Sequence, residues 1–79
     1  PKFKLEISGH TDSQGHEDSN LRLSQARADA IKAYLIHQFK IASSRIEAHG
    51  YGSSKPIVKE KSEDERKLNR RVEFQISRD

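Results

Sequence analysis

Phe3-Lys4-Leu5-Glu6-Ile7-Ser8-Gly9-His10-Thr11-Asp12 decides how this chain folds. Phe3, Leu5 and Ile7 alternate with Lys4, Glu6 and Ser8, the period of two that marks a strand with one buried face. Gly9 ends the alternation, and the polar stretch from Gly9 to Ser19, with its two glycines, reads as a loop. Beyond it Leu23, Ala26, Ala30, Ile31, Tyr34 and Leu35 recur every three or four positions. That spacing predicts a long helix over 19–39, with Asp18 or Ser19 as its N-cap.

The rest of the chain reads outward from this start. A second strand is expected over 45–49, with Ile46 and Ala48 facing inward. Gly50-Tyr51-Gly52-Ser53-Ser54-Lys55-Pro56 is rich in turn formers. Ser62 with Glu65 three residues on fits a capping box, so a short helix should run to about Leu68. Val72, Phe74 and Ile76 alternate with Arg71, Glu73 and Gln75 in a last strand. The order strand, helix, strand, short helix, strand predicts an α+β fold. It is an open βαβ sandwich in which a mixed sheet carries the long helix on one face. The first strand, helix and second strand form a right-handed crossover unit.

Composition narrows the functional classes. Seventy-nine residues, 34% charged and 32% hydrophobic, allow a single domain over 1–79 with a thin core. There is no cysteine, hence no disulfide and no thiolate metal site. No apolar run approaches the roughly 18 residues of a membrane span. The net charge of +3 comes from mixed Lys, Arg, Asp and Glu, the pattern of a solvated surface more than of a nucleic-acid binder. Arg66, Lys67, Arg70 and Arg71 form one basic cluster, but no aromatic stacking platform accompanies them. Pro1-Lys2-Phe3 enters the pattern directly at a strand, without Met, and reads as the edge of a fragment.

Arg27 is the residue to question first. On a helical wheel it lies among Leu23, Ala30, Ile31 and Tyr34, and a cation on an apolar stripe is costly unless paired. Asp12, in the loop that feeds the helix, is the natural partner. Such a loop lies where α/β folds commonly bind ligands. From the residues alone, a structural ion pair and a ligand site explain Arg27 equally well. His10, Asp12 and His16 are spaced too loosely for a metal site, and no metal or other cofactor is expected. Ser24, Ser43 and Ser44 lack a nucleophile motif, so the chain is not read as an enzyme.

Gly9-His10-Thr11-Asp12, Leu23-Ser24 with Arg27-Ala28, and Asn69-Arg70-Arg71-Val72-Glu73 resemble the OmpA-like C-terminal domain family from about Leu5 to Ile76. The resemblance implies a non-catalytic peptidoglycan-binding module. Asp12 and Arg27 would be its principal contacts with the stem peptide, which often carries diaminopimelate. A carboxylate accepts from an ammonium and a guanidinium forks onto a carboxylate, so the pair reads a zwitterion. Thr11, Gly15, Asn20, Leu21 and Arg71 would support them. Asn20 reads equally well as a helix cap and Arg71 as a neutraliser of nearby acids, while Leu21 reads better as packing. The resemblance further implies a periplasmic or outer-membrane setting and a membrane-anchored parent protein, either an outer-membrane protein or a flagellar stator of the MotB type. A small basic nucleic-acid binder is the alternative from a different class. Family domains carry a further strand and helix before the first strand seen here. The chain is therefore expected to be an N-terminally truncated fragment with an exposed sheet edge, able to pair with a second copy.

Overall fold

The computed structural model describes residues 3–78; Pro1 and Lys2, read above as a fragment edge, lie outside them, as does Asp79. Its elements are β1 (Phe3–Gly9), α1 (Glu17–Phe39), a 3-10 turn (Ser43–Arg45), β2 (Ile46–Gly50), α2 (Glu63–Asn69) and β3 (Val72–Arg78). The sheet is mixed, in the order β2-β1-β3. β1 runs parallel to β2 with Ile7 opposite Ala48, and antiparallel to β3 with Ile7 opposite Phe74. The predicted α+β class and open βαβ arrangement are observed.

Alternation along the strands puts Leu5, Ile7, Ile46, Ala48 and Val72 under α1. Ile7, Ala28 and Ile46 are the buried hydrophobic residues, with Ile31, Leu35, Ile36 and Ile41 packed around them. α1 reaches the sheet so closely because Gly9 and Gly50 carry no side chains. A Cβ at Gly9 would strike the Ser24 carbonyl, and one at Gly50 would strike the Gln25 backbone nitrogen. Both obstacles are backbone, so neither can swing aside. Gly50→Ala is expected to overpack this contact at a cost of about 1–3 kcal/mol. For a domain of this size that lowers Tm by roughly 4–8 °C per kcal/mol, which calorimetry can read.

The close approach also sets which helix face is inside. The buried positions are Ser24 and Ala28, while Leu23, Ala26, Ala30 and Tyr34, expected inward from their spacing, are exposed. Small residues win where helix and sheet backbones nearly touch, Leu23 and Tyr34 turn outward, and Ile31 and Leu35, further along the helix, pack against the core as expected. Helix α1 begins at Glu17, with His16 at the N-cap and no side-chain cap bond, so neither Asp18 nor Ser19 caps it. Lys40 ends it in the left-handed region at φ 57°, taking the place a glycine often fills. The predicted cap of α2 is present: Ser62 Oγ accepts from the Glu65 amide. α1 packs over β1 and β2, which leaves Phe74 at 55% and Ile76 at 70% exposure on the same side of β3.

Candidate functional site

The site forms where β1 and β2 end. Tyr51 donates its amide to the Gly9 carbonyl, Thr11 to Gly52, and His10 to Arg71. These bonds carry the loop after β1 between the loop after β2 and the start of β3. Thr11 and Asp12 are buried as a result. The Thr11 hydroxyl donates to the Asp12 carbonyl over 2.8 Å.

Asp12 is held from two directions. Its Oδ1 accepts the Gln14 amide at 3.0 Å, closing a local turn. Its Oδ2 accepts from Arg70 Nη1 at 2.6 Å, and Arg70 Nη2 donates to Glu63 at 2.6 Å. A carboxylate offers about four lone-pair sites, so this clamp orients Asp12 without exhausting it. About 10% of the side chain remains open to solvent.

Ser13 begins a second set of bonds. Its hydroxyl donates to Glu60 at 2.6 Å, and Asn69, fully buried, donates to the other Glu60 oxygen at 2.7 Å. Asn69 also accepts the Ile57 amide and donates to the Val58 carbonyl. The loop after β1, residues 57–60 and the end of α2 are thereby tied into one frame. A cavity of about 440 Å³ opens against it, lined by Ser13, Ser53, Pro56, Ile57, Val58, Lys59 and Glu60. Ser24, which the sequence offered as part of the family motif but with no role, is fully buried and accepts the Gly52 amide at 2.9 Å.

The other expected residues are placed as follows. Gly15 lies at φ +84° with open space where a Cβ would be. Asn20 does not cap the helix; its Nδ2 donates to the Gln14 carbonyl at 3.0 Å and ties α1 to the Asp12 loop. Leu21 is 40% exposed. Arg71 is engaged with Glu73 at 2.7 Å and with the carbonyls of Lys55 and Asn69. Arg70, given no ligand role in the sequence, is the cation on Asp12.

Arg27 is not that partner. It is exposed on α1, and no hydrogen bond or ion pair involves it among the described residues. Of the stripe that made its charge look costly, Leu23, Ala30 and Tyr34 are exposed and only Ile31 packs on the core, so Arg27 reaches solvent and no buried pair is needed. It lies seven residues, or two helical turns, beyond Asn20 and so shares a helix face with the residue that contacts the Asp12 loop.

His10 is 3% exposed, stacks on Tyr51 with ring centroids 5.5 Å apart, and has neither ring nitrogen hydrogen-bonded. Burial pushes its pKa below the usual 6.5; Arg71 adds to this, while Glu73 opposes it. The unfolded imidazole protonates near 6.5 and the folded one only at lower pH. Stability is therefore full above 6.5 and declines as pH falls from there through the folded value. His10→Phe is expected to flatten that slope, which denaturant melts at about pH 7.5 and about pH 5 will read. Hydrogen bonds from Arg70 and Arg66 hold the Glu63 carboxyl below its ordinary range, and one from Arg71 does the same for Glu73. A second acid loss, below 4.5, should thus persist in the variant.

Residues 1–70 match the model of the OmpA family. Outer membrane porin F of Pseudomonas fluorescens is 45% identical over 96% of this chain, which spans 23% of that porin's length. The solved peptidoglycan-associated lipoprotein of Burkholderia pseudomallei superposes with a TM-score of 0.87 at 29% identity, over 95% of this chain and 63% of that one. The C-terminal domain of Helicobacter pylori MotB superposes with a TM-score of 0.84 at 29% identity, over 100% of this chain and 61% of that one.

Proposed function

This chain belongs to the OmpA family, and on that premise we propose that it is a non-catalytic peptidoglycan-binding module of the cell envelope. It tethers an envelope protein to the wall by gripping the diaminopimelate end of the stem peptide. The observation that carries the reading is Asp12: a buried carboxylate, oriented by Gln14 and Arg70, with lone pairs to spare at the ends of two parallel strands. Asp12 takes the ligand's ammonium. Arg27, with its fork unengaged, takes the adjoining carboxylate. Thr11 and Asn20 fix the loop, Gly15 lets a ligand approach its backbone, Leu21 offers apolar contact beside them, and Arg71 shapes the wall through Lys55 and Asn69.

The relatives are an outer-membrane porin, a peptidoglycan-associated lipoprotein and a MotB domain. They support a periplasmic, membrane-anchored setting, with an outer-membrane parent favoured over a stator. The bare apolar surface at Phe74 and Ile76 supports reading 1–79 as the larger part of a domain that a further strand and helix complete. The same open edge would otherwise receive a second copy.

Nucleic-acid binding fits less well, because the three arginines of the basic cluster are already paired with carboxylates. Arg66 pairs with Glu63, Arg70 with Asp12 and Glu63, and Arg71 with Glu73. Co-sedimentation with purified sacculi across a salt series tests the choice. Retention should change by less than about tenfold between 50 and 200 mM salt, whereas a binder making 6–10 phosphate contacts would lose roughly 10³–10⁵. A loss of that size would overturn the proposal.

A further inference from the structure

The face of the sheet turned away from α1 carries a group that peptidoglycan binding does not use. Glu6 on β1 and Glu47 on β2 are direct register partners. Like charges placed so are unfavourable unless something cationic lies between them. His49, two residues along β2, aims one atom at both: its Nε2 is 3.1 Å from Glu47 Oε1 and 3.6 Å from Glu6 Oε2. One ligand atom from each of the three residues falls within a 4.8 Å cluster. A tetrahedral zinc ion, with bonds of about 2.0–2.2 Å to nitrogen and oxygen, sets its ligands about 3.3–3.5 Å apart. The two distances from His49 bracket that edge, and the carboxylate oxygens lie within 4.8 Å of each other.

A second observation concerns room. A concavity of about 240 Å³ opens beside Glu6 and Glu47, lined also by Lys4, Gln75 and Ser77. It adjoins the two carboxylates, and His49 lies outside its lining. No Lys or Arg is paired with Glu6 or Glu47 among the described residues.

We propose that Glu6, Glu47 and His49 form a zinc-class divalent metal site on the open face of the sheet, clamping β1 to β2. Two carboxylates and one imidazole suit zinc, a borderline ion, better than magnesium or calcium, which prefer all-oxygen shells. The site is separate from the Asp12 loop and does not depend on what that loop binds.

Calorimetric titration of the full-length, tag-free protein with zinc chloride tests it, alongside visible absorption on adding cobalt(II). One zinc per chain is expected, with a tetrahedral cobalt spectrum and a Tm that rises with zinc. His49→Ala and the near-isosteric Glu47→Gln should each weaken the site by at least about tenfold. His16→Ala, which alters an exposed histidine outside the cluster, should leave it unchanged. Zinc binding that survives His49→Ala and Glu47→Gln at full affinity, or no stoichiometric binding by the unaltered protein, would overturn the assignment.

Discussion

Asp12→Asn is expected to abolish retention on purified sacculi while leaving the fold intact. The asparagine oxygen can still accept the Gln14 amide, so the local turn survives. Arg70 keeps Glu63 as a partner, so its charge is not stranded. What disappears is the negative charge that an incoming ammonium requires. A hydrogen bond between charged groups contributes about 1.5–3 kcal/mol, equivalent to a roughly 10- to 150-fold loss of affinity. Co-sedimentation together with a thermal melt separates the two effects. Lost retention with a cooperative melt at a modestly lowered Tm is the predicted pair of results, because the asparagine cannot replace the carboxylate oxygen that accepts from Arg70. A variant that still co-sediments like the unaltered protein would remove Asp12 from the site.

Arg27→Ala should produce a loss of the same order, and it is the cleaner test. Arg27 is exposed and makes no ion pair among the described residues, so truncating it should move stability by no more than about 0.5 kcal/mol. Any loss of binding is then loss of ligand contact. Arg27→Lys keeps the charge but replaces a rigid two-pronged donor with a point charge on a flexible stem. It should therefore recover little of the affinity. If lysine restores binding fully, the guanidinium serves only as a diffuse positive charge. If alanine binds normally, the carboxylate end of the ligand is held elsewhere, and Arg70 becomes the natural candidate.

Much of the architecture was readable before any coordinates. The alternation Phe3-Leu5-Ile7 and Val72-Phe74-Ile76, the long helix, and the Ser62–Glu65 cap all appear where their patterns place them. The helix face did so only in part: Ile31 and Leu35 pack on the core, whereas Leu23, Ala26, Ala30 and Tyr34 do not. Periodicity ranks positions by hydrophobicity, so Leu23, Ala30 and Tyr34 outweighed Ser24 and Ala28. The deciding information lay in Gly9 and Gly50, whose missing side chains bring the sheet backbone up to Ser24 and Gln25. Small residues facing paired glycines were the available signal.

The candidate site was half legible. Asp12 stands out because it lies just beyond the first strand, in the loop that feeds the helix, and it is buried and held there. Its ion-pair partner was misread: helix spacing pointed to Arg27, whereas the pair forms with Arg70, 58 residues away in sequence. Contacts of that span depend on how α2 docks, which no local pattern encodes. The same applies to Ser13–Glu60–Asn69, a frame assembled from three separate segments.

The most direct measurement is a calorimetric titration of the full-length protein with a diaminopimelate-containing stem peptide. A second titration uses the same peptide with its diaminopimelate carboxylate amidated, and a third uses it with the amine acetylated. Recognition of both charges by Asp12 and Arg27 predicts that each modification weakens binding by at least about tenfold. Equal affinity for all three peptides would contradict it.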